Sequence, residues 1–196
     1  MTNRSFNADD PIAYFITWTC YGTWLSGDER GWHEWGKGGL QPANVFLKFA
    51  AETKMKETEF LLSKDDRRIV ETTVAEHCRI RQWILHKVNS RSNHVHVVVT
   101  APGYAPETVR DQLKAWCTRK LKPHYHVRKQ FWTEGASCRS INHECDLDSV
   151  IEYAGDTQDR KYRDYQHEAP ASESGAAARP DVQHDGRRIE SNSDET

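Results

Sequence analysis

The residues with the clearest chemical signature are two histidines at alternate positions of the run HVHVVVT, His94 and His96. Successive side chains of a strand alternate between faces, so His94, His96 and Val98 share one face while Val95, Val97 and Val99 share the other. The two histidine Cα atoms then stand roughly 6.5–7 Å apart, close enough for both rings to converge on one ion. Two structural histidines side by side in a core would be costly, because every ring nitrogen would need a buried partner. On a valine-rich strand the pair points to metal or phosphate chemistry. A second triplet, His124-Tyr125-His126, follows Pro123 at the end of a helical pattern and precedes basic text, which marks it as a loop or surface element.

Val98 narrows the chemistry. Nucleotide hydrolases of the histidine-triad class need a third histidine at the next same-face position, and valine stands there. A cupin-like centre needs further His or Glu ligands on a many-stranded β-barrel, whereas this chain alternates helices and strands. The five cysteines are odd in number and never form a CxxC pair, so neither a zinc cluster nor a disulfide framework is expected.

The elements that must hold the histidine strand follow from periodicity. Residues 12–22, β-branched and aromatic, read as a central strand ending at Gly22. A Gly- and Trp-rich loop precedes a helix over 44–55. A second helix starts from the cap residue Ser63 and runs to Arg81, with Ile69, Val70, Val74 and Cys78 on its apolar face. Residues 81–88 and 94–102 read as strands around the turn text NSRSN. Pro106 opens a helix ended by Pro123, with Val109, Leu113, Trp116 and Cys117 at helical spacing. Residues 131–141 read as a strand and 147–162 as a last helix. In its main elements the order is strand, helix, strand, strand, helix, strand, helix. That is an α+β plan of ferredoxin-like or RRM-like type, an antiparallel sheet with helices on one face, followed by a C-terminal helix.

Mean hydropathy over the 196 residues is -0.84, low for a chain that is globular throughout. The deficit lies at the C-terminus: residues 163–196 are rich in Ala, Ser, Gly, Pro and acidic side chains and read as a disordered tail, leaving 1–162 as the folded domain. The formal net charge of -2 argues against a global field that attracts nucleic acid. Without the tail, 23 basic side chains face 21 acidic ones, so binding would rest on local patches. No apolar run approaches the ~18 residues of a membrane span, and the N-terminus lacks a signal-peptide core. The expected compartment is cytoplasmic.

The segment SRSNHVHVVVT resembles the HUH motif (His, bulky apolar, His) of the single-tyrosine HUH transposases, the small enzymes that mobilise insertion sequences as single-stranded DNA, and of their REP-associated relatives. The likeness runs from ITWTCYGTWL through the helix after NHVH, the WTEGASCRSI strand and the VIEY helix, most of residues 12–162. It implies metal-dependent cleavage and strand transfer of single-stranded, hairpin-bearing DNA, in the cytoplasm at the nucleoid. Tyr153 matches the family's nucleophile, although by its residues alone it reads as a helix tyrosine packing beside Val150 and Ile151; Tyr162 and Tyr165 stand in reserve. Attack by a tyrosine leaves a 5′-phosphotyrosine and a free 3′-hydroxyl. The resemblance also implies that His94 and His96 hold Mg²⁺ or Mn²⁺. The family's Gln ligand lies four residues after the Tyr, where this chain has Thr157; the Gln is Gln158, displaced some 100° around an ideal helix. Gln158 is the expected third ligand, with Asp156 the alternative.

Three stretches mix cations with rings, as single-strand binding requires: residues 114–132, the helix start DDRR, and the loop bearing Trp32, Trp35 and Lys37. Lys114, Arg119, Lys120, Lys122, Arg128 and Lys129 are the expected DNA contacts. Family members commonly pair, which leaves a homodimer open. Two rival readings share the residues: a replication-initiator or relaxase-like nicking enzyme, and a catalytically silent RRM-like nucleic-acid-binding module.

Overall fold

The computed structural model describes residues 10–34, 37 and 39–155. Strand β1 (Ala13–Thr19) is followed by helices α1 (Val45–Thr53) and α2 (Lys64–Arg81), strands β2 (Ile84–Ser90) and β3 (His94–Thr100), helix α3 (Pro106–Leu121), strand β4 (Ser137–Ile141) and helix α4 (Glu144–Gly155). The strands form one antiparallel sheet in the order β2-β3-β1-β4, the ferredoxin-like arrangement that the element order predicts. Among the described residues no helix is long and apolar enough to cross a membrane.

The alternation of β1 and β3 divides the molecule into two layers. Tyr14, Ile16 and Trp18 of β1 and Val95, Val97 and Val99 of β3 join the main core, sealed by Val70, Val74 and Cys78 of α2 and by Val109, Leu113, Cys117 and Leu121 of α3. The helical spacing of these positions in sequence is what lets each helix offer an unbroken apolar stripe to the sheet. α2 is held at its start by a capping box between Ser63 and Asp66. The Asp66 carboxylate also accepts from the Tyr125 hydroxyl at 2.6 Å, and burial followed by that acidic neighbour pushes the Tyr125 pKa up to about 12. Burial likewise raises the thiols of Cys20, Cys78 and Cys117, which suits packing and not nucleophilic work. All five cysteines are free.

The last helix departs from a one-sided arrangement. α2 and α3 share one face, while α4 crosses the other, where Ala154 packs with Ala13, Phe15, Val98 and Ile141, supported by Leu147, Val150 and Ile151. Asn89 of β2 donates from Nδ2 to the Ala154 carbonyl at 2.7 Å, fastening the end of α4 across the sheet.

Some boundaries shift from the sequence reading for local reasons. α2 keeps helical bonds to Arg81 and ends at Gln82 in the left-handed conformation, so β2 begins later and extends to Ser90. β4 is limited to five residues: the preceding chain sends Phe131 and Trp132 into the main core and turns at Gly135, with φ 76°. α4 starts at Glu144, earlier than expected. Its expected continuation to residue 162 and the tail from 163 lie outside the described residues.

Candidate active site

β3 presents His94 and His96 on the face that α4 partly covers. Antiparallel register places Thr17 of β1 opposite His96 on one side and Asn89 of β2 on the other. The two Nε2 atoms face each other at 3.0 Å. Their outer nitrogens are tied: His94 Nδ1 to Asn93 Oδ1 at 2.8 Å, and His96 Nδ1 to Thr17 Oγ1 at 2.8 Å. An amide oxygen only accepts, so His94 carries its proton on Nδ1 and turns its Nε2 lone pair toward His96. The Thr17 hydroxyl donates or accepts. His96 therefore either bridges to His94 with a proton on Nε2 or, with the proton on Nδ1, offers a second lone pair to the same point.

This arrangement fits a small divalent ion. Neighbouring ligands at about 2.1 Å from an octahedral ion stand about 3.0 Å apart, the separation seen here. Outer-shell oxygens that fix ring orientation are the usual support of metal-binding histidines. Among the described residues no group of three or more His, Cys, Asp or Glu converges to hold a metal. Gln158 and Asp156, the expected candidates, lie outside the described residues.

Tyr153 reaches the same place from α4. Its ring centroid is 5.9 Å from that of His96 and 5.9 Å, edge-on, from that of Phe15, while Phe15 packs 5.4 Å from His96. The tyrosine is 62% exposed and its neighbour Ala154 is fully buried, so α4 is anchored by small and aliphatic residues and turns the phenol outward. Around these groups lies a cleft of about 520 Å³ whose walls include Thr17, Trp24, Arg30, His33, Arg91, Arg139 and Tyr153 and, among the described residues, no Asp or Glu.

The six expected DNA contacts lie elsewhere; none lines this cleft. Lys114 donates to the carbonyls of Thr133 and Gly135 at 2.7 and 2.9 Å, and burial lowers its pKa. Arg128 is bound to Thr58 and to the Gln130 carbonyl, pairs with Glu57 at 3.6 Å and covers the Phe60 ring. Arg119 lies 4.4 Å over Trp116, Lys120 stands 3.8 Å from Glu76, and Lys122 is exposed in the short turn after α3. Lys129 and Lys114 line a second groove of about 560 Å³ together with Lys54 and Lys56. Of the other basic stretches, DDRR is largely used by the fold, with Asp66 in the capping box and Arg67 buried. Trp32 donates to the Pro42 carbonyl and Lys37 pairs with Glu34, while Trp35 is outside the described residues. His124 and His126 are exposed in a surface turn, as their sequence context predicts.

Several cleft residues escape sequence reasoning. Asn93 had a signal, its place directly before His94. Thr17, Trp24, Arg30, His33, Arg91 and Arg139 had none, because strand register and loop path bring them to the histidines.

Among family models, that described as Transposase IS200 like matches residues 48–156, more than half of the chain. No curated protein matches the sequence. Of solved structures, a REP-associated tyrosine transposase bound to a REP hairpin aligns with TM-score 0.45 and 11% identity, over 79% of this chain and 70% of that one. A candidate transposase of Deinococcus radiodurans R1 aligns with TM-score 0.44 and 10% identity, over 79% of this chain and 97% of that one.

Proposed function

Since the chain belongs to the IS200-like transposase family, we propose that it cleaves and rejoins single-stranded DNA through Tyr153, in a centre where His94 and His96 hold Mg²⁺ or Mn²⁺. The observation that carries this reading is the convergence of the two Nε2 atoms beside an exposed tyrosine in a cleft lined by Arg and His side chains. A phosphodiester is an anion, and a cleft lined by Arg and His side chains favours its entry.

The Tyr153 oxygen forms the new bond to phosphorus, and the bond from phosphorus to the 3′-oxygen breaks. The electron pair stays on that oxygen, which takes a proton from water, while the phenolic proton passes to solvent. The phosphotyrosine conserves the bond energy, so attack by a 3′-hydroxyl reverses the step and rejoins a strand without a nucleotide cofactor. A divalent ion, when bound, supplies Lewis-acid stabilisation of the charged phosphate, worth several kcal/mol. Asn93 and Thr17 hold the two imidazoles in the orientation that this binding needs. Phe15 supports the Tyr153 ring from below and keeps it beside His96. Gln158 is the proposed third protein ligand, and the exposed cations Lys120, Lys122 and Lys129 are proposed to follow the DNA backbone outside the cleft.

The test uses the full chain, Mn²⁺ and labelled single-stranded hairpins from the DNA flanking its gene. A covalent protein–DNA adduct that survives denaturation is expected, and Tyr153→Phe should not form it. Absence of an adduct with every flanking hairpin would sink the reading in favour of a binding module, and an undiminished adduct in Tyr153→Phe would move the nucleophile elsewhere.

A further inference from the structure

Among the described residues three arginines line the cleft, and two are taken up by the fold. Arg30 is gripped by Asp28 at 2.7 Å and donates to the Thr23 carbonyl at 2.7 Å. Arg91 lines the wall but is itself largely buried, 7% exposed, and interacts within the fold. Arg139 differs from both. It is exposed on β4, and among the described residues its side chain has no hydrogen-bond or ion-pair partner. Register puts it directly opposite Phe15, on the same face as His96, and Phe15 is the ring on which Tyr153 rests. β4 is separated from β3 by β1 alone, so His96 and Arg139 flank the tyrosine from strands about 10 Å apart. That gap suits a phosphate held from both sides. A guanidinium fork also matches two phosphate oxygens, which an ammonium cannot do.

Resting on the reading of Tyr153 as nucleophile, we propose that Arg139 is the anion clamp of this centre. Its guanidinium takes a nonbridging oxygen of the phosphate under attack, on the side away from the histidines, and keeps it as the phosphotyrosine forms. The bonds made and broken are those of the cleavage step; Arg139 transfers no proton and balances the negative charge throughout. The residue thereby also selects its substrate class, a phosphodiester anion lying across Phe15.

Single-turnover adduct formation and hairpin affinity are measured for wild type, Arg139→Ala, Arg139→Gln and Arg139→Lys with Mn²⁺. Loss of one positioned donor to a transition state typically slows reaction about 10²–10³-fold. Arg139→Ala and Arg139→Gln should fall in that range with affinity within threefold of wild type. Arg139→Lys should lie between, and added guanidinium ion should restore part of the Arg139→Ala rate. Slowing of less than tenfold, or slowing matched by lost affinity, overturns the proposal. Should the Ala variant melt well below wild type, the Gln variant, which keeps the aliphatic stem, decides. A wild type that forms no adduct overturns the Tyr153 reading and this one with it; a cleaving wild type with equally active variants overturns this one alone.

Discussion

The two faces of the sheet come from the same strands and have been put to opposite uses. On one, Val95, Val97 and Val99 meet α2 and α3 in an apolar core, with Ile16, Val70, Val74, Leu113 and Leu121 all fully buried. On the other, the alternate residues of the same strands are Thr17, His94, His96 and Asn89, and only a small cluster around Phe15, Val98 and Ala154 seats α4. The first face supplies stability through area removed from water. The second leaves ring nitrogens, a phenol and an arginine partly accessible, which it can do because the first holds the strands rigid. The lesson is a division of labour at a period of two residues: the backbone that stabilises is the backbone that positions.

Substitutions should separate these roles. The largest effect is expected from Tyr153→Phe: complete loss of the covalent adduct, with an unfolding free energy within about 0.5 kcal/mol of wild type because the side chain is mostly exposed. Leu113→Ala, on the opposite face, should do the reverse. Denaturant titration should show a loss of about 2–5 kcal/mol, while adduct formation per folded molecule stays at the wild-type rate; a matching loss of rate would mean that the faces are not independent. Thr17→Val and Asn93→Ala should weaken Mn²⁺ affinity about 10–100-fold, read as a rightward shift of adduct yield against Mn²⁺ concentration, with the saturating rate largely restored.

The smallest effect should come from His77, which belongs to the sealed side. It sits between the Trp83 and Trp116 rings, at 5.5 Å from each, and donates from Nε2 to Gln112 Oε1 at 3.1 Å. Burial, outweighing the contribution of Gln112, lowers its pKa below the ordinary 6.5. The unfolded chain then binds the proton more readily than the folded one. Stability from neutral His77 is therefore fully present above about pH 6.5 and is lost as pH falls through the lower folded value. Thermal melts between pH 7.5 and 5.5 should show a decline that His77→Gln makes shallower; an unchanged slope would remove His77 from the account.

Much of the fold was legible because its signals are local. The valine alternation of β3, the Ser63 cap, Pro106 at the first turn of α3 and the stripe Val109, Leu113, Cys117 each report on neighbours within a few residues. The strand expected over 131–141 was too long because Phe131 and Trp132 have strand-like side chains, while their burial depends on Cys20 and Phe60, far away in sequence. The cationic stretches show the same limit. Residue type marks Lys114 and Arg128 as candidates for DNA, but only the folded chain shows their donors occupied by the carbonyls of Thr133, Gly135 and Gln130.

The sequence by itself determined that His94 and His96 share a face and that Val98 denies them a third histidine, since the period of a strand is fixed by backbone geometry. It also determined that Tyr153 lies on a helix with Val150 and Ile151. It could not determine which side of the sheet that helix covers, because helical periodicity records an apolar stripe and not the surface that receives it. Tertiary packing decided this by seating Ala154 against Ala13, Phe15 and Val98, which brings the Tyr153 ring beside His96. Register decided the remainder, setting Thr17 against one histidine and Arg139 across Phe15, through pairings between residues more than seventy positions apart.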